Sequence, residues 1–346
     1  MTNNLARDAG EADTHNVERE GDPIGSDQGT VQNKLRAAGE PGLPRRPTLR
    51  PRRVSRAVLD ASDAALARVL LAPTFLLLLL IVVYPVCRLL WTSLLDLRLA
   101  AGMPARFVGI DNYLSLGTDP EFWTALTNTL LITLITVPAA LLAGLALALI
   151  ANLPFRIQWP VRLSLLIPWA MPLAFVGMIG GWFFQSDYGV VNDLLRHVRP
   201  TRIIWFNSGW LSFIAICLTI TWKTCSFVAL VLLAGLQTIP NELYEAASVD
   251  GAGPLRRFFF VTLPLLRPAI AVAVIFRMIT SLQTFDIPLT MTRGGPGTST
   301  VTLAMYIHQN TVDFLDLGYG AALAVVLFFI SMGVTTLYLR QVRSES

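Results

Sequence analysis

The apolar positions of this chain are gathered into long blocks. Six of them, at about residues 69–91, 125–150, 161–184, 211–236, 268–290 and 319–339, exceed the roughly 18 residues that mark a membrane-crossing helix. At about 1.5 Å of rise per residue, each covers the ~30 Å of a hydrocarbon core. The pattern predicts an all-α integral membrane protein with six transmembrane helices, and an even number puts both termini on one side. Residues 1–65 break the pattern. Asp, Glu, Asn, Gly and Pro dominate there and no apolar periodicity develops, so a disordered tail is expected. It is too long and too polar for a secretory signal. Its basic end, Arg45 to Arg56, suits anionic lipid headgroups. Residues 66–346 form the expected membrane domain.

Composition sharpens this picture. Charged residues make up 14% of the chain, against roughly 25% in soluble proteins. They are also unevenly spread: 10 of the 23 acids and 11 of the 27 basic residues precede Val69. Arginines orient the spans. Arg50, Arg52, Arg53, Arg56, Arg68, Arg156, Arg162, Arg256, Arg257, Arg267, Arg340 and Arg343 fall on one side. Arg88, Arg98, Arg106, Arg196, Arg199, Arg202 and Arg293 fall on the other. The excess of cationic residues marks the cytoplasmic face, so both termini are expected in the cytoplasm. The net charge of +4 is lipid and topology chemistry rather than a nucleic-acid surface.

Several function classes fall to simple counts. Cys87, Cys217 and Cys225 lie in or beside apolar stretches, so no disulfide framework is expected. His15, His197 and His308 are scattered, and none begins an H-E-x-x-H zinc motif. Lys34 and Lys223 are the two lysines, and neither follows a glycine, so the chain has no phosphate-binding P-loop. No cofactor of its own is expected, and no paired catalytic residues are found.

The loop between the fourth and fifth blocks carries the strongest local signal. It reads Gln237-Thr-Ile-Pro240-Asn-Glu-Leu-Tyr-Glu245-Ala246-Ala247-Ser-Val-Asp250-Gly251 and runs on to Val261, Leu263 and Pro264. Pro240 suits the first turn of a helix, where a missing N–H costs nothing. Asn241, Glu242 and Glu245 favour its positive end, and Gly251 ends it by adopting a left-handed cap. A helix of about ten residues outside the bilayer is predicted, presenting a carboxylate and two small residues to a partner.

This spacing of Glu-Ala-Ala, Gly, a branched aliphatic and Leu-Pro resembles the cytoplasmic signature of ATP-binding-cassette importer permeases, with Val261 in place of the usual Ile. Phe107-Val-Gly-Ile-Asp-Asn-Tyr113, Asn128-Thr129-Leu130, Trp222-Lys223, Leu233-Ala-Gly-Leu-Gln-Thr-Ile-Pro240, Phe285-Asp286 and Gly294-Gly295-Pro296 resemble the carbohydrate importers of the maltose and glycerol-3-phosphate type, and the first of their two permease subunits. The resemblance covers about residues 66–343. It implies a type I permease fold in the prokaryotic cytoplasmic membrane and an ATP-driven import of a sugar or polyol, such as a disaccharide or oligosaccharide. It also implies a second permease, two copies of an ATPase that bind ATP and magnesium, and an extracellular solute-binding protein. Glu245, Ala246, Ala247, Asp250, Gly251, Leu263 and Pro264 would then form the ATPase-coupling segment.

Polar residues inside a span are functional candidates because hydrocarbon leaves them costly when unpaired. Arg277, Ser281 and Thr284 are spaced to share one helical face of the fifth block, bordered by Thr280. The resemblance puts the sugar between that face and Trp222, Lys223, Thr224 and Phe227 of the fourth. A family member with a known internal site has asparagines in place of Ser281 and Thr284, and uncharged residues in place of Lys223 and Arg277. Arg277 has an alternative role, pairing with Asp286 or with the second permease. If Lys223 and Arg277 both face the cavity, a phosphorylated polyol such as glycerol 3-phosphate becomes the competing substrate. A channel or secondary carrier is a further alternative, but it would have no ATPase to dock.

Overall fold

The computed structural model describes residues 63–99, 102, 104–153, 159–198 and 201–344. Residues 1–62 of the expected tail, Arg156 and Arg199 lie outside them, whereas Asp63, Ala64 and Ala65, read as the end of that tail, already belong to the first helix. The chain divides into two units, Met1–Leu70 and Leu71–Ser346.

Helix α1 (Asp63–Leu78) continues through a π-helical turn, Leu79–Val83, into α2 (Tyr84–Thr92) and forms the first span. A two-residue antiparallel ribbon, β1 (Leu95–Asp96) against β2 (Arg106–Phe107), and the short α3 (Asp111–Thr118) lead into α4 (Pro120–Ala151). Next come α5 (Trp159–Ala170), α6 (Leu173–Phe183), the short α7 (Val190–Leu195) and the long α8 (Gly209–Gln237). The nine-residue α9 (Asn241–Val249) precedes α10 (Pro254–Arg257), a π turn at Phe258–Thr262, and α11 (Leu263–Leu282). The chain closes with α12 (Asp286–Thr292), α13 (Leu303–His308) and α14 (Leu317–Ser344). Among the described residues, five helices are long and apolar enough to cross a membrane, and α5 with α6, bent by 97°, makes a sixth span when the pair is counted as one.

Prolines account for two of the three π turns among the described residues; the third, at Gln309–Asp313, has no proline after it. A proline ring clashes with the carbonyl four residues back, and a π turn opens the ladder to relieve it. The turn at Leu79–Val83 immediately precedes Pro85, with the Tyr84 N–H bonded five residues back to Leu79. The turn at Phe258–Thr262 precedes Pro264 in the same way, with Leu263 bonded to Phe258. Two expectations are corrected here. The fifth span is not 268–290. It begins at Pro254 and stops at Leu282, because a helix continued further would drive Pro288 into the carbonyl of Thr284. Pro288 instead sits in the first turn of α12, and the Thr284 carbonyl accepts a hydrogen bond from the Thr302 hydroxyl at 2.7 Å. The third span, read as one helix over 161–184, is broken at Met171–Pro172.

The core lies where α8 packs along α4, through Ala140, Ala148, Val228, Ala229 and Leu232, with Leu266 and Ala273 of α11 against them. The two backbones meet closely at Gly144. A Cβ there would fall 2.6 Å from Val228 Cγ1 and 2.9 Å from the Cys225 carbonyl, so only glycine fits the crossing.

At the end of the bundle away from α9, a second apolar cluster around Phe122, Leu303, Met305 and Leu323 is joined by polar ties. Asn128 Nδ2 donates to the Val301 carbonyl at 3.0 Å, and Thr129 Oγ1 accepts from the Leu303 N–H at 2.8 Å. Asp119 caps α4 by accepting from the Glu121 N–H at 2.9 Å. Its second oxygen accepts from the hydroxyls of Tyr306, at 2.7 Å, and Tyr319. Burial opposes the charge on Asp119, but the bonds from Tyr319, Tyr306 and the N–H groups of Glu121 and Phe122 outweigh it and hold the carboxyl below its ordinary value. A carboxyl lowered in the folded state stabilises the protein above its unfolded pKa of about 3.9, and that contribution disappears as pH falls through the folded value. Tyr306→Phe should therefore cost about 1.5–3 kcal/mol near neutral pH, the worth of a hydrogen bond to a charged group. Thermal melts from pH 7 downward should show a constant gap to the unsubstituted protein that closes only below about pH 4.

Candidate functional site

The break in the third span sets the geometry of the site. Pro172 has no N–H, so the Pro168 carbonyl, four residues earlier, has no helical partner, and the bend carries Leu173 away from the carbonyl of Trp169. Lys223 of α8 satisfies both. Its Nζ donates to the Pro168 carbonyl at 3.0 Å and to that of Trp169 at 2.9 Å. The cation also faces the negative end of the α5 dipole. Irregular backbone at membrane depth is tolerated where protein or a cavity receives it, and here it has both.

A cavity of about 410 Å³ opens beside the break. Trp169, Met171, Pro172 and Leu173 form one wall, Lys223, Thr224 and Phe227 of α8 a second, and Phe276, Arg277 and Thr280 of α11 the third. The rings of Phe227 and Phe276 lie 4.4 Å apart at 32°, an apolar surface facing hydroxyls and cations. A smaller cavity of about 90 Å³ adjoins it, lined by Thr224, Arg277, Thr280, Gln283, Thr284, Phe285 and Asp286 among others. Thr224 and Thr280 border both, though each hydroxyl already donates within its own helix, to Ile220 at 2.7 Å and to Phe276 at 2.9 Å. Their oxygens keep acceptor capacity towards the cavity.

Six of the eight expected pocket residues thus border these two cavities: Lys223, Thr224, Phe227, Arg277, Thr280 and Thr284. Thr284 does so from beyond the end of α11, not from its helical face. Two do not. Trp222, expected opposite the polar face of α11, lines a separate apolar cavity of about 300 Å³ with Val176, Gly180, Phe183, Phe184 and Thr219. Adjacent positions on a helix point about 100° apart, and that turn carries Trp222 out of the wall that Lys223 and Thr224 share. Ser281 is buried, with its hydroxyl 3.4 Å from that of Thr136 on α4. The expected Arg277–Asp286 pair is also not formed: Nε and Nη2 of Arg277 have no partner. Sequence reasoning missed Phe276 and the Met171–Leu173 wall. The two prolines of the third block, Pro168 and Pro172, were the signal for that wall.

The loop signature forms as expected. Helix α9 ends in a paired cap, with the Ala252 N–H on the Ala247 carbonyl at 2.9 Å and Gly251 N–H on Ser248 at 3.1 Å. Gly251 takes φ +75°, a conformation that favours glycine. Helix α9 is tied to the bundle by Tyr244, which packs on the core and places Oη 3.1 Å from Thr262 Oγ1, and by Arg257 Nη1 donating to Ser248 Oγ at 2.9 Å. Glu245 and Ala246 remain exposed, Ala247 half-buried, and Val249, 89% exposed, stands out beside them. Asp250 supplies the cap, and Leu263 and Pro264 start α11 after the π turn. Among the described residues, no group of three His, Cys, Asp or Glu side chains is placed to hold a metal ion.

Residues 137–344 match the family described as binding-protein-dependent transport system inner membrane component. The chain is 65% identical to the sulfoquinovosyl glycerol transport system permease protein SmoG of Agrobacterium fabrum over 287 residues, 83% of this chain and 93% of that one. It is 34% identical to the trehalose/maltose transport system permease protein MalF of Thermococcus litoralis, over 82% of this chain and 95% of that one. Among solved structures it is similar to a bacterial ABC transporter involved in import of the acidic polysaccharide alginate. That likeness has a TM-score of 0.70 at 22% identity and covers 81% of this chain and 95% of the other.

Lys223→Met tests how the break is held. The change keeps an unbranched apolar stem but leaves the Pro168 and Trp169 carbonyls unpaired, at about 1–3 kcal/mol for each buried group. The melting temperature of the purified protein should fall clearly, and Lys223→Arg should recover part of it. A Lys223→Met melt matching the unsubstituted protein would show that the amine is dispensable to the bend.

Proposed function

The chain belongs to the binding-protein-dependent transport system inner membrane component family, the permeases of ATP-binding-cassette importers, and we propose that it carries a sulfonated glycoside of the sulfoquinovosyl glycerol kind across the cytoplasmic membrane. It is a multi-pass transport component with no catalytic role of its own. The 65% identity across nearly the whole of that relative carries the substrate reading. The cavity between α8, α11 and the break supports it chemically: apolar rings suit a sugar's hydrophobic face, hydroxyls its polar rim, and a cationic wall its charged group. A phosphorylated polyol is the competing reading, since Lys223 and Arg277 both line the cavity. It is the weaker one because the Lys223 amine is committed to two carbonyls.

The partners follow from the same reading. A solute-binding protein delivers the glycoside, a second permease completes the pathway, and two ATPases bind and hydrolyse ATP. Helix α9 docks on one ATPase through Glu245, Ala246 and Ala247. Both termini lie in the cytoplasm. Uptake by the assembled complex in vesicles, with the binding protein and ATP, is the direct test. Sulfoquinovosyl glycerol should accumulate and glycerol 3-phosphate should not compete, whereas the reverse pattern would favour the phosphorylated polyol. Glu245→Lys should detach or uncouple the ATPase while membrane levels stay near normal. Topology has its own test. In a background with Cys87, Cys217 and Cys225 replaced, Val198→Cys should react with an impermeant thiol reagent from outside. Val249→Cys should react only after the membrane is opened, and external labelling at 249 would remove the docking role of α9.

A further inference from the structure

Arg277 sits in the last third of α11, five residues before Leu282, with 5% of its surface exposed. A guanidinium has five N–H donors in a rigid fork and cannot shed its charge in a protein. Here its Nη1 donates to Thr280 Oγ1 at 3.1 Å, while Nε and Nη2 have no acceptor at all. A charge left this way at membrane depth is costly unless something arrives to pair with it. The groups facing it come from two elements. Lys223 of α8 lines the larger cavity with it and adds a second positive charge. Asp286 of α12 lines the smaller cavity but makes no ion pair with it. Among the described residues the larger cavity therefore has two cations and no carboxylate in its wall, and one pair of guanidinium donors, themselves buried, stays unspent until the side chain turns them towards an acceptor.

We infer that Arg277 is the subsite for the oxyanion of the transported molecule. On the reading that the substrate is a sulfonated glycoside, two sulfonate oxygens accept from Nε and Nη2 in the paired geometry that suits a planar fork. The sugar ring then lies along Phe227 and Phe276, and Thr224 and Thr280 meet its hydroxyls. This divides the two buried cations by role: Lys223 builds the wall, and Arg277 selects what may lie against it. A neutral sugar entering the same cavity would leave the guanidinium unpaired, so the site discriminates by penalty as well as by attraction.

The experiment uses the full complex of both permeases, ATPase and binding protein in proteoliposomes, with uptake normalised to assembled complex. Arg277→Gln should lower uptake of sulfoquinovosyl glycerol by ~10-fold or more, the scale set by one charge-assisted hydrogen-bonded pair. Arg277→Lys keeps the charge without the fork and should fall between. Wild-type uptake by an assembled Arg277→Gln complex would overturn the assignment. So would an Arg277→Gln complex that fails to assemble while Arg277→Lys assembles and transports normally, or the failure of both to assemble. Those two results mark a structural ion pair with another subunit. If the unsubstituted complex takes up a carboxylated sugar instead, the sulfonated reading alone is lost, and the variants are read on that sugar. Uptake of neutral sugars only would defeat both.

Discussion

A backbone carbonyl inside a membrane must find a donor, and the site in this chain is organised by how two of them find one. Pro172 deprives the Pro168 carbonyl of its helical partner, and the bend deprives that of Trp169. Hydrocarbon offers no donor at this depth, and here another helix supplies one. Lys223 supplies it from 54 and 55 residues away, and α8 is thereby tied to the broken third span. The bend opens the space in front of Met171 and Leu173, and that space is the cavity which α11 closes from the other side.

Both helices that form the cavity also flank α9. Helix α8 runs from Phe227 to Gln237, roughly 15 Å at helical rise, and reaches α9 after three further residues. On the other side, α9 leads through α10 and a π turn into α11 and then to Arg277. Its ties to the bundle include one hydroxyl pair at Tyr244, whose ring also packs on the core, and one guanidinium–hydroxyl bond at Arg257. On the proposed docking role, a push on α9 would reach two cavity walls at once, along helices packed through the Gly144 crossing and the Leu232–Leu266 core. At the opposite end, Asp119 and its two tyrosines pin α4, α13 and α14 together.

Much of this was legible in the sequence because hydrocarbon constrains a chain so strongly. The number and rough place of the spans followed from length and hydropathy, though not the break in the third or the bounds of the fifth, and α9 followed from Pro240 and Gly251, whose φ of +75° is the one expected of a left-handed cap. The pocket was legible only by helix. Trp222 and Lys223 are neighbours in sequence yet open on different cavities, which depends on the rotation of α8 against α6 and not on residue type. Ser281 and Thr284 were grouped by helical spacing, but Pro288 stops the helix between them. The partner of Lys223 was out of reach for a different reason: a carbonyl carries no side-chain signal, and only the proline four residues later marks it as unpaired.

The central claim is that two buried cations share one cavity with separate duties, Lys223 holding backbone and Arg277 receiving an anion. A structure of the assembled complex, trapped with sulfoquinovosyl glycerol inside the membrane domain, addresses both halves in one map. It should place the sulfonate within about 3 Å of Nε and Nη2 of Arg277, with Lys223 still on the carbonyls of Pro168 and Trp169. A guanidinium paired with a carboxylate of the second permease, and a glycoside lodged against Trp222 instead, would contradict it.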